Sequence, residues 1–402
     1  MVATVRWILL SIALWGTVTS TIYLLLVLTA AFRFRFRTSR SHAAEAIDLP
    51  ALSLLKPVHG AEPLLDVNLS SFFQQAYSDY ELIFCARRLS DPAFQAVDQV
   101  SKEHPNVKVR KIESGEPPWV NPRTYSVERM LPVAASPYVV ITDSDVRVGK
   151  DFLRRIAPYL TEPSVGMVTC LYRGVPSGGL WSRLEAIGMS VELSSGVLVA
   201  DMMEGMQFAL GPCMATKKAC IAAIGGLEPV AEYYADDFVL GNWISKAGFK
   251  VVLSDYVIEH VVTSGAFVPS VRHQLGWARS TRFSRPKGHL GTALTFAMPY
   301  AILGAVSECA LGNWRIGVAL LGWGIANRAI QALSVGWGVV RDRASLVGCL
   351  LYPLRDLIGF VFWAWSYASK EIRYRGEIYT LYDNGKIRLK HHKRDVPAGV
   401  VQ

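Results

Sequence analysis

Two aspartates that lie one residue apart follow a short apolar run and could hold a cation. The run from Tyr138 to Ile141 is apolar and β-branched in its middle, and it gives way to Asp143 and Asp145 in the order Asp-Ser-Asp. This pattern predicts a buried strand that ends in two carboxylates, at the edge where open α/β sheets bind ligands. Carboxylate oxygens suit a hard divalent cation, which would bridge a nucleotide diphosphate. Taken alone, the same residues also fit a polar turn before a helix.

Two other acidic positions could belong to the same site. Asp91 follows a second predicted strand, Tyr80 to Ala86, and should therefore lie at the same sheet edge. It could also cap the next helix, with Pro92 in the first helical position. Asp236 and Asp237 open a further predicted helix. Acids there suit the helix dipole, and one of them could equally act as a base.

A basic segment with one large aromatic residue covers positions 270–285 and has a helical pattern. Arg272 and Arg279 are seven residues apart and share one face, whereas His273 and Trp277 are four apart and share the neighbouring face. Such a helix could lie on a membrane surface with its arginines on lipid phosphates. Alternatively, some of these arginines could hold a departing diphosphate.

The composition indicates a membrane protein. Of 402 residues, 51% are hydrophobic, which allows one sizeable core and several membrane spans. Lys and Arg number 42 against 33 Asp and Glu, a net charge of +9 that suits an anionic membrane face or a phosphate-bearing substrate. Nucleic acid is not expected as a partner, because the basic residues cluster beside apolar spans. The six cysteines form no C-x-x-C pair, so neither a zinc site nor a disulfide framework is indicated.

The N-terminal apolar segment predicts a transmembrane signal anchor at residues 7–32. It carries no charge, and its length matches the roughly 20 residues needed to cross a bilayer. A basic linker at 33–49 follows directly, which is not the pattern of a cleaved signal peptide. Its arginines predict a cytoplasmic location by the positive-inside rule: Arg33, Arg35, Arg37 and Arg40.

Strand and helix patterns alternate over a predicted cytoplasmic domain at residues 50–287. Strands are predicted at 51–55, 80–86, 107–112, 138–141 and 165–172, and helices at 64–77, from 91 and at 180–190. This alternation is typical of a nucleotide-binding sheet. A further strand at 207–215 is interrupted by Gly211 and Pro212, where the backbone should approach the site closely.

After residue 287 the chain is predicted to return to the membrane. We expect a membrane region at 288–369, with spans near 292–311 and 316–340, a span or interfacial segment at 345–368, and a basic cytoplasmic tail at 370–402. Arg328 interrupts the second span and should face protein or water. Pro353 and Asp356 break the third segment. Two full spans would keep the tail on the same side as the domain.

In their order along the chain, these motifs resemble those of ceramide glucosyltransferases. The acids Asp91, Asp143 and Asp237, followed by His-Gln-Leu-Gly-Trp ending at Trp277, look like the signature of glycosyltransferase family 21. Hopanoid-associated glycosyltransferases share the pattern, including Leu-Tyr-Arg-Gly from Leu171. The resemblance implies an α/β fold of the GT-A type, in which a Rossmann-like mixed sheet binds a nucleotide sugar, with transmembrane helices at both ends of the chain.

The resemblance also implies an activity. We expect inverting transfer of a sugar, with glucose the first expectation, from a UDP-sugar to the hydroxyl of a membrane lipid, with ceramide the first expectation. The alternatives are a hopanoid or other lipid acceptor, a processive polysaccharide synthase, or a non-enzymatic membrane partner derived from a transferase. The catalytic domain should lie on the cytoplasmic face of the bilayer.

Roles for single residues follow from the resemblance. Asp237 would be the general base, with Trp277, Arg272 and Arg279 beside the reacting groups. Asp143 and Asp145 would hold Mg²⁺ or Mn²⁺ on the diphosphate. The residues expected to bind the nucleotide sugar are Asp91, Asp143, Lys56, Arg123, Asp236, His273 and Gln274.

Two departures from the family pattern stand out. His273 and Gly276 occupy positions where the family has Gln or Arg and then Arg before the tryptophan. Because Arg272 and Arg279 flank Gly276 on a helix, we expect one or both to take over the diphosphate contact. Arg123 stands where the family tends to have Lys, and the two are not equivalent phosphate ligands. Both changes leave room for reduced activity or another donor.

Overall fold

The computed structural model describes residues 2–41, 49–374 and 377–391. Within these residues the chain divides into two compact units. The sheet unit contains residues 49–172, 206–263 and 370–391, and the helical unit contains residues 2–41, 173–205 and 264–369. This division differs from the continuous domain predicted at 50–287, because residues 173–205 and 264–287 group with the apolar helices.

Strands and helices are numbered along the chain. The strands are β1 Leu52–Pro57, β2 Tyr80–Ala86, β3 Lys108–Glu113, β4 Tyr138–Thr142, β5 Val146–Arg147, β6 Val165–Pro176, β7 Cys213–Lys217, β8 Lys250–Val262, β9 Glu371–Tyr374, β10 Glu377–Leu381 and β11 Ile387–His391. The α-helices are α1 Val2–Ser41, α2 Leu65–Phe73, α3 Ala93–Glu103, α4 Pro122–Met130, α5 Phe152–Thr161, α6 Gly179–Ile187, α7 Ser194–Glu204, α8 Lys218–Ala223, α9 Asp236–Lys246, α10 Phe267–Ser284, α11 Pro286–Thr292, α12 Met298–Ala310, α13 Trp314–Gln331, α14 Ser345–Gly348 and α15 Tyr352–Ser366.

The sheet unit is built on an eight-stranded sheet in the order β3-β2-β1-β4-β7-β6-β8-β5. Strands β1 to β4 are parallel, whereas β7 runs antiparallel to both β4 and β6. Strand β1 is buried along its whole length, as expected for a central parallel strand covered on both faces. The predicted mixed α/β sheet is confirmed.

One predicted strand is shorter in the structure. The strand predicted at 207–215 has the expected interruption at Gly211 and Pro212, but only the part from Cys213 onward forms β7, and before it Leu210 makes an isolated bridge. The physical reason is the Gly211-Pro212 pair, since proline has no N–H for a ladder hydrogen bond. The chain turns there, and the strand starts after the turn.

Helix α1 extends beyond both ends of the predicted anchor and continues through the predicted basic linker to Ser41. Residues 42–48 of that linker lie outside the described part of the chain. A salt bridge of 3.2 Å joins Arg37 to Asp201 within the helical unit. The arginines that follow the apolar segment therefore lie on helix α1 and not in a loop.

Among the described residues, three helices are long and apolar enough to cross a membrane: Thr4–Arg37, Gly179–Glu204 and Trp314–Trp337. A fourth candidate is the pair Pro286–Thr295 and Met298–Ala310, which is bent by 44°. The predicted spans near 292–311 and 316–340 overlap the bent pair and the third helix. The helix at 179–204 includes the helix predicted at 180–190, which is placed in the cytoplasmic domain and not as a span; Glu185, Glu192 and Asp201 interrupt its apolar sequence.

A buried ion pair links helices α13 and α15 within the helical unit. Arg328 on α13 donates to Asp356 on α15 at 3.0 Å, and both side chains are buried. The second carboxylate oxygen of Asp356 accepts from the backbone N–H groups of Ala297 and Met298 at the start of α12. Arg328 thus faces protein, as expected for a charge at this depth. The segment predicted as a span or interfacial region at 345–368 forms α14 and α15.

The C-terminal segment forms a second, three-stranded sheet in the order β11-β10-β9. It belongs to the sheet unit, where Gly385 accepts a hydrogen bond of 3.2 Å from the N–H of Tyr234 and Lys386 pairs with Glu232. Of the basic residues predicted as a tail, Arg373 therefore lies on β9 and Arg388 and Lys390 lie on β11. Arg375, Lys393 and residues 392–402 lie outside the described residues.

Candidate functional site

The parallel strands bring three of the predicted site segments to one sheet edge. Strand β1 pairs with β2 on one side and with β4 on the other, with Lys56 opposite Phe84 and Leu55 opposite Ile141. The chain segments that leave the carboxyl ends of these strands are therefore neighbours. They carry Asp91 after β2 and Asp143 after β4.

Asp91 ties two of these loops together. One oxygen of its carboxylate accepts from the backbone N–H of Gly60 at 2.8 Å and from that of Ala93 at 2.9 Å. The other oxygen lies 3.6 Å from Nδ1 of His59. The carboxylate thus caps the start of α3, and it also fixes the loop that follows β1. Both of its predicted roles, cap and sheet-edge acid, are compatible with this placement.

Lys56 lies at the end of β1 and is fully buried. Its ammonium donates to the hydroxyl of Thr142 at 2.8 Å and to the carbonyl of Asp143 at 2.9 Å, and it lies 3.6 Å from the centre of the Phe72 ring. Burial lowers the pKa of Lys56 to about 7, and the nearby Asp143 opposes this. The side chain supports the end of β4, where the Asp-Ser-Asp sequence begins.

Arg123 connects the sheet edge to the start of α9. It is the second residue of α4, a helix that begins with Pro122 and is capped by the Asn121 side chain. Its Nε donates to Asp143 at 2.7 Å, its Nη1 to Asp236 at 2.8 Å and its Nη2 to the carbonyl of Gly211 at 2.9 Å. Three separate segments of the chain therefore meet at one guanidinium.

The guanidinium of Arg123 is largely shielded from water, with 11% of the side chain exposed. Burial opposes its charge, but Asp143 and Asp236 outweigh that effect and raise the pKa of Arg123 well above its usual range. A permanently charged group with every nitrogen engaged is well suited to fix two carboxylates. Arg123 thus links Asp143, Asp236 and Gly211 at one point of the sheet unit.

The two acids at the start of α9 have different surroundings. Asp236 is buried and accepts from Arg123 and from the hydroxyl of Thr124 at 2.8 Å. Asp237 accepts from the backbone N–H groups of Gly211 at 2.7 Å and Phe238 at 2.8 Å. Burial, followed by repulsion from Asp236, raises the pKa of Asp237 to about 6. Asp237 is therefore a stronger base than an ordinary aspartate.

Gly211 makes the predicted close backbone approach. A Cβ atom added at this position would lie 3.0 Å from Oδ2 of Asp237, closer than a carbon atom normally comes to an oxygen. The hydrogen bond from the Gly211 N–H to Asp237 thus depends on a small residue in the turn. The same residue supplies the carbonyl that Arg123 contacts.

Asp145 faces a histidine that is not among the predicted site residues. His260 lies on β8, where it pairs in register with Val146, and its Nε2 is 3.4 Å from Oδ2 of Asp145. Within the described part of the chain, Oδ1 of Asp145 and Nδ1 of His260 are buried and have no hydrogen-bond partner. The sequence signal that could have revealed it is the pair Glu259 and His260, which stands between apolar residues from Val257 to Val262.

Whether these residues suit a divalent cation can be judged from their donor atoms. No three His, Cys, Asp or Glu side chains of residues 2–41, 49–374 and 377–391 are grouped closely enough to form a complete metal cluster. Asp143, Asp145 and His260 nevertheless offer oxygen and nitrogen donors, and Asp145 has an unused buried oxygen. Mg²⁺ sites of one or two carboxylates that are completed by substrate phosphates are common. The donor set fits a cation that arrives with a diphosphate.

The remaining predicted site residues lie on α10 in the helical unit. Arg272 is exposed, Trp277 and Arg279 are partly buried, and Gln274 and Gly276 are buried. His273 forms a hydrogen bond of 2.6 Å with the buried Glu185.

Comparison with known proteins gives a match over most of the chain. A sequence profile described as glycosyl transferase family 21 matches residues 9–387. Ceramide glucosyltransferase 1 of Caenorhabditis elegans is 28% identical over 209 residues, which are 52% of this chain and 45% of that protein. Ceramide glucosyltransferase 3 of the same organism is 25% identical over 216 residues, 53% of this chain and 46% of that protein. The chain thus matches about half the length of these curated relatives.

Two solved structures are similar at lower identity. The mannosyltransferase PcManGT from Pyrobaculum calidifontis, in complex with GDP-Man and Mn²⁺, has a TM-score of 0.49 and 17% identity, over 88% of this chain and 99% of that one. Residues 1–349 of S. aureus TarS, in complex with UDP-GlcNAc, have a TM-score of 0.39 and 15% identity, over 85% of this chain and 99% of that one.

Proposed function

The chain belongs to glycosyl transferase family 21, and we propose that it transfers a hexose from a UDP-sugar, with glucose the expected sugar, to the hydroxyl of a membrane lipid of the ceramide type. The observation that carries this proposal is the guanidinium of Arg123, which links Asp143 at the sheet edge to Asp236 beside Asp237. One side chain thereby joins the candidate diphosphate end of the site to its candidate base. The curated relatives named ceramide glucosyltransferase support the lipid acceptor.

The diphosphate of the donor would bind at the sheet edge. Asp143, Asp145 and His260 would hold Mg²⁺ or Mn²⁺ there, and the bound cation would offset the charge of the diphosphate. Asp91 fixes the loop after β1, and Lys56 fixes the end of β4. Both side chains thus preorganise the donor site, which reduces the conformational entropy lost when the nucleotide binds.

Asp237 would take the proton of the acceptor hydroxyl. With its pKa raised to about 6, the carboxylate is mostly deprotonated at neutral pH and is a stronger base than an ordinary aspartate. Hydrogen bonds from Gly211 and Phe238 hold it in place. Burial, with the negative charge of Asp236 as the second cause, keeps the pKa of Asp237 high.

The reaction would be a single displacement. The acceptor oxygen forms a bond to the anomeric carbon while the bond from that carbon to the diphosphate breaks, so that UDP leaves and the configuration inverts. The proton passes to Asp237 and later to water. No protein nucleophile is required for this route, and the atoms that the protein must supply are a base and groups that stabilise the leaving diphosphate.

The candidate spans support a lipid acceptor, because an enzyme held in the bilayer meets its lipid by lateral diffusion. We further propose that the sheet unit faces the cytoplasm, since the arginines that follow the apolar part of α1 should remain on that side. Accessibility of single cysteines introduced in the sheet unit, measured in sealed cells with a membrane-impermeant thiol reagent, would test the orientation.

The proposed activity is tested with the purified full chain in detergent micelles. UDP-glucose, UDP-galactose and GDP-mannose are offered separately with ceramide and Mn²⁺, and the glycolipid product is measured by mass spectrometry. We expect hexosylceramide from UDP-glucose and not from GDP-mannose. Product from GDP-mannose alone would contradict the proposed donor, and release of UDP without any lipid product would contradict the proposed acceptor.

A further inference from the structure

The C-terminal sheet contacts the segment that leads into the two acids of α9, and both belong to the sheet unit. A tight turn joins β10 to β11, and the carbonyl of Gly385 in this turn accepts a hydrogen bond of 3.2 Å from the backbone N–H of Tyr234. Tyr233 and Lys386 form an isolated antiparallel bridge beside it. Asp237 follows three residues after Tyr234. Segments that are 154 residues apart in sequence are thus paired directly before the candidate base.

Aromatic side chains add to this backbone contact. The ring of Tyr234 meets the ring of Tyr374 on β9 edge-on, with 6.1 Å between the ring centres, a favourable arrangement for an aromatic pair. Burial raises the pKa of Tyr234 above its usual range, with Tyr374 as the next cause. The charges of Asp236 and Asp237 raise it further. Tyr234 therefore contacts the C-terminal sheet and also lies within electrostatic range of both acids.

The ion pair beside this contact is peripheral. Lys386 pairs with Glu232, and the two side chains are 50% and 56% exposed. The ammonium of Lys386 lies 5.6 Å from the centre of the Tyr233 ring. An exposed pair of this kind contributes little to stability. The packed tyrosine rings and the backbone hydrogen bond are therefore the anchors of the segment.

The same segment is also joined to α4. The amide nitrogen of Asn121 donates to the carbonyl of Tyr233 at 3.1 Å. The amide oxygen of Asn121 caps α4, the helix whose Arg123 and Thr124 donate to Asp236. The start of α9 is thus connected through α4 to the sheet edge and through the two tyrosines to the C-terminal sheet.

We propose that Tyr234 and Tyr374 are positioning residues, through which the C-terminal sheet holds the start of α9 so that the carboxylate of Asp237 meets the acceptor hydroxyl. This inference rests on the proposed sugar transfer, in which Asp237 is the base, and it gives the C-terminal strands a role in that step. A displacement of about 1 Å at reacting groups can lower a rate about 100-fold. The loops after β1 and β4, which would bind the diphosphate, are fixed by other contacts. A displaced segment should therefore lower kcat and leave the KM for the donor unchanged.

Two substitutions weaken the anchors independently. Tyr374→Ala removes the ring against which Tyr234 packs, whereas Tyr374→Phe keeps it. Gly385→Val disturbs the turn, because φ at Gly385 is +86°, a conformation that β-branched residues rarely adopt. We expect kcat to fall about tenfold or more in Tyr374→Ala and Gly385→Val and to be largely retained in Tyr374→Phe. The KM for UDP-glucose should stay constant in all three variants.

Matched controls separate positioning from a general loss of stability. Gly248→Val introduces the same side chain at a φ of +92°, within the sheet unit but just beyond the other end of α9. Lys386→Met removes only the exposed ion pair. We expect kcat in both controls to stay within about twofold of the unaltered protein. A fall in kcat in Gly248→Val as large as that in Gly385→Val would show general destabilisation and refute the inference.

Hydrogen exchange gives a readout that does not require activity. In Tyr374→Ala and Gly385→Val the backbone amides of residues 232–240 should exchange about tenfold faster or more, while those of β1 and β4 keep their rates. Unchanged exchange of residues 232–240, or an unchanged kcat, in both variants would overturn the inference, and so would a donor KM that rises as kcat falls. If Tyr374→Ala does not fold, Gly385→Val decides. If the unaltered protein transfers no sugar to any lipid, the proposed function fails, whereas the exchange rates still show whether the C-terminal sheet holds this segment.

Discussion

Substitution of Arg123 tests whether one guanidinium holds the two halves of the candidate site together. Arg123→Lys keeps the positive charge, but a single ammonium cannot replace Nε, Nη1 and Nη2, which contact Asp143, Asp236 and Gly211 at 2.7 to 2.9 Å. Arg123→Gln removes the charge as well. The lost contacts are replaced by water only in part, because the pocket around Arg123 is largely closed.

The size of the effect follows from the surroundings of the two carboxylates. Removing one partner of a buried ion pair lowers the free energy of unfolding by about 3–5 kcal/mol. Most of this loss would arise at Asp236, because its side chain is only 12% exposed, although it would keep the hydrogen bond from the Thr124 hydroxyl. Asp143 would contribute less, because its side chain is 28% exposed and water can hydrate it. We therefore expect a loss of about 3 kcal/mol for Arg123→Gln and about 2 kcal/mol for Arg123→Lys.

A paired variant provides the control. In Arg123→Gln with Asp236→Asn no unpaired carboxylate remains at the start of α9, so stability should recover by about 1 kcal/mol or more relative to Arg123→Gln alone. Unfolding is followed by tryptophan fluorescence in micelles, and UDP-glucose binding by calorimetry. If Arg123→Lys unfolds within about 0.5 kcal/mol of the unaltered protein and binds UDP-glucose equally well, the reasoning about Arg123 is refuted.

Three further predictions concern the proposed chemistry. Asp237→Asn should reduce lipid glycosylation by about 100-fold or more while calorimetry still shows UDP-glucose binding; loss of both would make Asp237 a ligand-positioning residue. The pKa of Asp237 is raised to about 6, and the base must be deprotonated, so the turnover rate should fall about tenfold for each pH unit below that value. A turnover rate that stays constant from about pH 5 to pH 7 would contradict the assignment of Asp237 as the base. Asp145→Asn and His260→Ala should each raise the Mn²⁺ concentration needed for donor binding by about tenfold or more without lowering the unfolding midpoint, and an unchanged metal requirement would remove that residue from the site.

Features with a local signal could be predicted from the sequence. The apolar run that forms β4 and the acids that follow it lie where the pattern places them, because a buried strand and a polar turn are each encoded within a few residues. The N-terminal helix is equally local, since about 20 uncharged residues suffice to indicate a span. The parallel order of β1 to β4 follows from the intervening helices.

Features that depend on distant partners could not be predicted in this way. Strand β8 pairs antiparallel with β5, more than 100 residues before it, and this pairing brings His260 to Asp145. Strands β9 and β11 alternate charged and apolar residues, so the sequence of this segment resembles a basic tail, and its pairing into a sheet has no local signal. Helix 179–204 carries acids that lower its hydropathy, and the structure shows one of them, Glu185, to be satisfied by α10.

The candidate site shows the same division. The sequence places Asp91, Asp143 and Asp237 at a strand end or a helix start. This position indicates the edge of the sheet at which each acid lies, but not the residues with which it forms hydrogen bonds. That Arg123 contacts residues 20, 88 and 113 positions away depends on the turn at Gly211 and on the packing of α4. Side-chain direction of this kind follows from tertiary structure and has no short-range signal.

The most direct test of the central claim is the lipid profile of a ceramide-containing host that expresses the full chain. We predict a new hexosylated lipid, detected by mass spectrometry, that is present with the unaltered protein and nearly absent with Asp237→Asn at equal expression. A lipid profile identical to that of the host without the protein, in cells where the chain is folded and in the membrane, would contradict the proposal that this protein is a lipid glycosyltransferase.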